Sequence, residues 1–101
     1  MSRVEESDQY LEWVVEKDFC VELEAAGWLT AKVVIRGWPD RFCFGPKKRV
    51  VIVEFKRKGA PKKRRGEKLQ KWYRGLFAAL GFDVRLVIGA KEADALLKEL
   101  L

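Results

Sequence analysis

Apolar residues recur along this chain in two periods, and the switches between them outline a fold. From about Glu5 to Ala26, Tyr10, Trp13, Val14, Phe19 or Cys20, and Leu23 follow one another at the spacing of an amphipathic helix, with acids frequent in its early turns and Gly27 just beyond as a stop. Thr30 to Arg36 is rich in β-branched residues and closed by Gly37, and Asp40 to Phe44 alternates about Phe42 and Phe44, so both read as strands. Gly45-Pro46-Lys47-Lys48 reads as a turn. Arg49 to Lys56 is apolar on both faces until its end, the pattern of a central strand covered on both sides. After a basic loop punctuated by Gly and Pro, Arg57 to Gly66, the helical period returns over Glu67 to Leu80, where Leu69, Trp72, Tyr73, Leu76, Phe77 and Leu80 share a stripe that ends at Gly81. Phe82 to Ile88 reads as a further strand and Lys91 to Leu101 as a closing helix. The predicted order is α-β-β-β-α-β-α, an α/β fold with a mixed sheet flanked by helices, in a single domain over residues 1–101.

Length and composition agree with that outline. A chain of 101 residues carries one core, and 49% hydrophobic with 36% charged residues excludes disordered and collagen-like classes. No apolar run reaches the roughly 18 residues a spanning helix needs. Residues 1–8 carry Glu5, Glu6 and Asp8 and resemble neither a secretory signal nor a basic transit peptide, so the expected location is intracellular, in the cytoplasm. Histidine is absent, which removes the commonest general base and every imidazole-dependent nucleophile scheme; hydrolysis on this chain would need carboxylates, lysine and a metal ion. Cys20 and Cys43 lack zinc-finger spacing and are expected as reduced core thiols. Trp13, Trp28 and Trp72 are expected in the core, while Trp38 could serve packing or base stacking.

Charge is the first feature that points to a partner. Between Lys47 and Arg74 stand 13 Lys/Arg against two acids, whereas the rest of the chain carries 8 basic and 13 acidic residues. A concentrated positive surface attracts phosphate polyanions without reading sequence, which makes nucleic acid the expected partner and a membrane surface an unfavoured one. A merely solvated charged face would mix both signs more evenly.

The candidate chemistry sits where the central strand ends in Val53-Glu54-Phe55-Lys56. Period two puts Glu54 and Lys56 on the face of Val50 and Ile52, with Phe55 pointing away. If the Gly45–Lys48 turn makes a hairpin, Asp40 comes alongside the end of that strand, and two carboxylates share a site. Such a pair suits a hard divalent cation with oxygen ligands, Mg²⁺ or Mn²⁺, to which the Phe55 carbonyl can add a further oxygen. Lys56 would orient water or stabilise charge growing on a phosphoryl group. Read alone, an E-x-K on a strand is more often a cross-strand surface salt bridge, and it is the placement of the P-D motif that changes that balance. Arg57, Lys58, Lys62, Lys63, Arg64 and Arg65 adjoin the site and would guide a phosphate backbone across it.

Gly37-Trp38-Pro39-Asp40-Arg41 followed by Val51-Ile52-Val53-Glu54-Phe55-Lys56 resembles the VRR-Nuc branch of the PD-(D/E)XK nuclease superfamily. The resemblance runs from about Glu16 to Ile88 and implies a restriction-endonuclease-like αβββαβ core, here with an added C-terminal helix. It implies a metal or water-shell role for Glu16 on the first helix, and a role for Gln70 in ordering the lysine or touching the substrate backbone. Lys32 resembles a lysine on the strand before the P-D motif, where substrate contact and a plain strand-surface position are equal alternatives. The family further implies a metal-dependent endonuclease acting on DNA, including branched DNA such as Holliday junctions, as a homodimer. A non-catalytic nucleic-acid-binding module and an RNA-directed nuclease are the rival readings.

Overall fold

The computed structural model describes residues 12–59 and 66–101. Its elements are α1 (Glu12–Ala25), β1 (Leu29–Lys32), β2 (Arg41–Phe44), β3 (Val50–Lys56), α2 (Glu67–Ala79), β4 (Asp83–Ile88) and α3 (Gly89–Leu100), in the predicted order. The part of the expected first helix before Glu12 lies outside the described residues. No helix among the described residues is long and apolar enough to cross a membrane.

The four strands lie in spatial order β1-β2-β3-β4. β1 pairs antiparallel with β2, and β2 with β3. The second hairpin closes through Gly45 N–H donating to Arg49 O, with Lys47 and Lys48 in the left-handed region. β4 joins β3 in parallel, and α2 forms the crossover that a parallel pair requires.

One face of the sheet is dry. Val51, Val53 and Phe55 alternate onto it, as period two demands, and meet Val15, Phe19 and Leu23 of α1 and Ala93, Leu96, Leu97 and Leu100 of α3 in a continuous buried cluster. Cys43 and Cys20 belong to that cluster as free thiols, as expected, and burial pushes Cys43 up to about 12, where it stays protonated.

The other face carries α2, and it is covered only in part. Trp38 stacks on Phe42 and meets Phe77 edge-on, and Phe42 meets Phe77 in the same way. Tyr73 and Phe77 therefore take the inward side of the predicted stripe, while Leu69, Trp72, Leu76 and Leu80 stay exposed and α2 has no buried residue. Two expectations are corrected here. Trp72 is 59% exposed and Trp13 is 61% exposed; only Trp28 of the three is core. Trp13 lies off the stripe that Val15, Phe19 and Leu23 bury, and Trp72 is one step around α2 from the Tyr73–Phe77 edge. Trp38 takes the packing role.

The strand expected over Thr30 to Arg36 stops at Lys32, because Lys32 pairs with Arg41, the first residue of β2. A single further bond, Val33 N–H to Asp40 O, follows before the chain leaves the sheet, so Val34 and Ile35 are exposed despite their β propensity. The loop returns through Gly37 at φ +83, where an added Cβ would stand 2.5 Å from Leu69 Cγ of α2. Only glycine combines that backbone conformation with so close an approach.

Candidate functional site

β2 begins at Arg41 opposite Val53, so the same register puts Asp40 opposite Glu54. Beyond that point β3 has no backbone partner on this side, and the Asp40 side chain takes its place: Phe55 N–H donates to Asp40 Oδ2 at 2.8 Å. In a strand, the N–H and C=O of one residue point to the same side, which aims the Phe55 carbonyl at the Asp40 edge as well. The hairpin expected from Gly45–Lys48 is thus what carries Asp40 to the end of β3.

Glu54 is the most deeply placed charge, with a side chain 1% exposed. Its Oε2 accepts from Arg74 Nη1 at 2.6 Å and lies 3.5 Å from Lys56 Nζ. Its Oε1 is buried and has no hydrogen-bond partner among the described residues. Burial pushes the Glu54 carboxyl above its ordinary range, against the pull of Arg74 and then Lys56. Burial also raises Asp40, with the Phe55 N–H opposing and the charge of Glu16 adding to the rise.

Lys56 is gripped from α2. Its Nζ donates to Gln70 Oε1 at 2.7 Å and to Glu67 Oε2 at 3.0 Å. The expected partnership of Lys56 and Gln70 is therefore present in space. Glu67 and Arg74 are residues that sequence reasoning missed. Together with Gln70 they form an i, i+3, i+7 polar stripe at the start of α2, a spacing legible in the sequence once α2 is known to cover the end of β3. The Lys56 hydrogen bond holds the Glu67 carboxyl below its usual range.

Glu16 is held by a separate pair of cations. It is buried on α1, and its Oε2 accepts from Arg41 Nε at 2.6 Å and Lys32 Nζ at 2.8 Å; it acts on Asp40 only as a like charge. Arg41 stands opposite Val53, whose side chain belongs to the dry face, so this ion pair lies on that side of the sheet. Lys32 is half exposed and occupied with Glu16. Among the described residues no cluster of three or more carboxylate or thiol groups could by itself hold a metal. Arg57 and Lys58 are exposed just past β3, and Lys62, Lys63, Arg64 and Arg65 lie outside the described residues.

The donor set nevertheless fits a hard cation. A buried carboxylate oxygen with no donor among the described residues, a second carboxylate across the register and a carbonyl on the same edge are all oxygen ligands, the type Mg²⁺ and Mn²⁺ take together with water.

Fold and site together describe an α/β domain with carboxylates and a lysine gathered at the end of its central strand. Family models and curated proteins give no match. Among solved structures, a chain described as "VRR_NUC domain" aligns with TM-score 0.75 at 26% identity, over 89% of this chain and 97% of the other. The resemblance carried by the two motifs is thereby borne out: over most of its length this chain is similar in structure to a VRR-Nuc domain.

Proposed function

We propose that this domain is a metal-dependent endonuclease that hydrolyses DNA phosphodiester bonds. The observation that carries the reading is the buried Glu54 Oε1, which has no donor among the described residues, beside Asp40 and Lys56 at the end of one strand. An unpaired carboxylate oxygen in such a place is costly unless a cation is meant to meet it. Asp40, Glu54 and the Phe55 carbonyl would hold Mg²⁺ or Mn²⁺, with Glu16 acting at longer range on its water shell. When bound, such an ion lowers the pKa of water and polarises a phosphoryl oxygen. Lys56, held by Gln70 and Glu67, presents its charge where negative charge develops on the phosphate. Arg57, Lys58 and the basic residues Lys62 to Arg65 lead the backbone across.

Action on branched DNA and assembly as a homodimer belong to the same proposal. The uncovered apolar residues of α2 and β4, Trp72, Leu76, Leu80, Leu86 and Ile88, support a second copy as their cover. The cytoplasm remains the proposed location.

Supercoiled plasmid and a four-way junction, each with Mg²⁺ or with chelator, test the reading. Wild type should cut only with metal, and Lys56→Ala should lower the rate by about 10²–10³-fold, the loss typical of one preorganised charge-stabilising donor. Asp40→Asn, which keeps an acceptor for the Phe55 N–H, should be similarly impaired. DNA binding by wild type without metal-dependent cutting would favour the binding-module reading, and preferential cutting of RNA would favour the RNA-directed one.

A further inference from the structure

Glu67 stands at the mouth of the site and joins two cations. Its Oε2 lies 3.0 Å from Lys56 Nζ and its Oε1 3.5 Å from Arg74 Nη2; its side chain is 27% exposed, against 12% and 15% for Lys56 and Arg74. Two oxygens of one anion, divided between an ammonium and a guanidinium on their solvent side, match in charge and donor arrangement the two non-bridging oxygens of a phosphodiester.

The two acids that share these cations are not equivalent. Glu54 holds Arg74 from behind through Nη1 at 2.6 Å and is sealed from water. That contact leaves Nη2 turned toward Glu67, at a separation long for a hydrogen bond. Glu67 belongs to the first turn of α2, where released negative charge is favoured by the helix amide dipoles. Glu54 is a fixed partner and Glu67 an exchangeable one.

We propose that Lys56 and Arg74 form a phosphate-binding pair whose resting occupant is the Glu67 carboxylate, which a backbone phosphate of bound nucleic acid displaces. The choice of nucleic acid as ligand rests on the nuclease reading; the pair and its occupant do not. Arg74 thereby becomes a substrate-contacting residue, and Glu67 a built-in competitor that sets how strongly the site holds DNA.

The test is binding of labelled duplex and four-way junction in chelator, where nothing is cut, at one fixed salt concentration, by fluorescence anisotropy. Wild type, Glu67→Gln, Lys56→Gln and the double variant form a cycle. Lys56→Gln leaves Glu54 paired with Arg74, so the buried charge stays balanced, and thermal unfolding checks that each variant is folded. Glu67→Gln should tighten binding by about fivefold, and the gain should vanish in the Lys56→Gln background. Removal of one negative charge acting only at long range would tighten both backgrounds alike. An undiminished gain in that background, no gain at all, or weaker binding overturns the proposal, and Glu67→Ala provides an independent repeat. Metal-dependent cleavage on the same preparations separates this inference from the wider reading. The expected binding pattern with no cleavage keeps the phosphate pair and removes the nuclease. Cleavage without the pattern does the reverse, and a wild type that binds no DNA removes both.

Discussion

The two faces of one sheet are built to opposite rules. On the side of α1 and α3, Val51, Val53 and Phe55 meet an unbroken apolar cluster, and Phe19 packs edge-on against Phe55 with centroids 5.3 Å apart. On the side of α2, the same strand contributes Ile52, then Glu54 and Lys56, and its cover is an aromatic group with a charged cluster at one end. A single strand thus changes from scaffold to chemistry every second residue, because successive side chains point to opposite faces. The dry face supplies the stability that lets the other hold buried charge.

That contrast can be broken in order of expected effect. Phe19→Ala removes the ring at the centre of the dry face and should cost about 3–5 kcal/mol by chemical denaturation, enough to unfold much of the population of a small domain. A loss near that of a surface change would mean that the α1 side is not what holds the sheet.

The charged end offers a smaller effect with a definite sign. Asp40 and Glu54 have folded-state pKa values above their ordinary 3.8 and 4.5. Across the interval from those values up to the raised ones, the folded chain keeps protons that the unfolded chain has released, so metal-free stability should fall as pH rises through it. Above the interval both groups are ionised and ready for a cation. Mg²⁺ or Mn²⁺ at tenfold its dissociation constant should then stabilise the fold by about 1.4 kcal/mol, read as a shift in Tm. The same metal concentration should shift Tm less inside that interval than above it, since protons compete for the same oxygens. An equal shift at both would place the ion elsewhere.

The smallest effect concerns the uncovered apolar side of α2. Trp72→Ser should change the stability of the isolated chain by no more than about 0.5 kcal/mol, as expected for an exposed position. Its effect should appear in sedimentation, as a shift from dimer toward monomer. An unchanged distribution would leave Trp72 outside the interface.

Much of this molecule was legible in the sequence, and the reasons differ by element. β3 and the turn before it followed from period two and from Gly-Pro, and with them the meeting of Asp40, Glu54 and Lys56. Gln70 meets Lys56 because α2 keeps its phase from Gly66 onward. The strand past Lys32 failed because β propensity cannot supply a partner: Val34 is 87% exposed where the register runs out. The α2 stripe failed by the opposite route, since spacing reports which residues share a side but not whether that side is covered. Glu16 was placed on the correct helix, yet its partners Lys32 and Arg41 depend on tertiary register that no local pattern encodes. Glu67 and Arg74 were overlooked because a polar stripe on an amphipathic helix looks like solvent-facing residues until something is known to lie beneath it.

Gly37 has a consequence for the geometry of the candidate site. Its α-carbon lets the loop that delivers Asp40 rest directly on Leu69, one residue from Gln70 in α2. Two halves of the site that are far apart in sequence are braced against each other at that contact, and their separation is set by the thickness of a bare backbone. Any larger residue would act as a wedge there, so the smallest amino acid in the motif, chemically silent itself, gauges the width of the cleft.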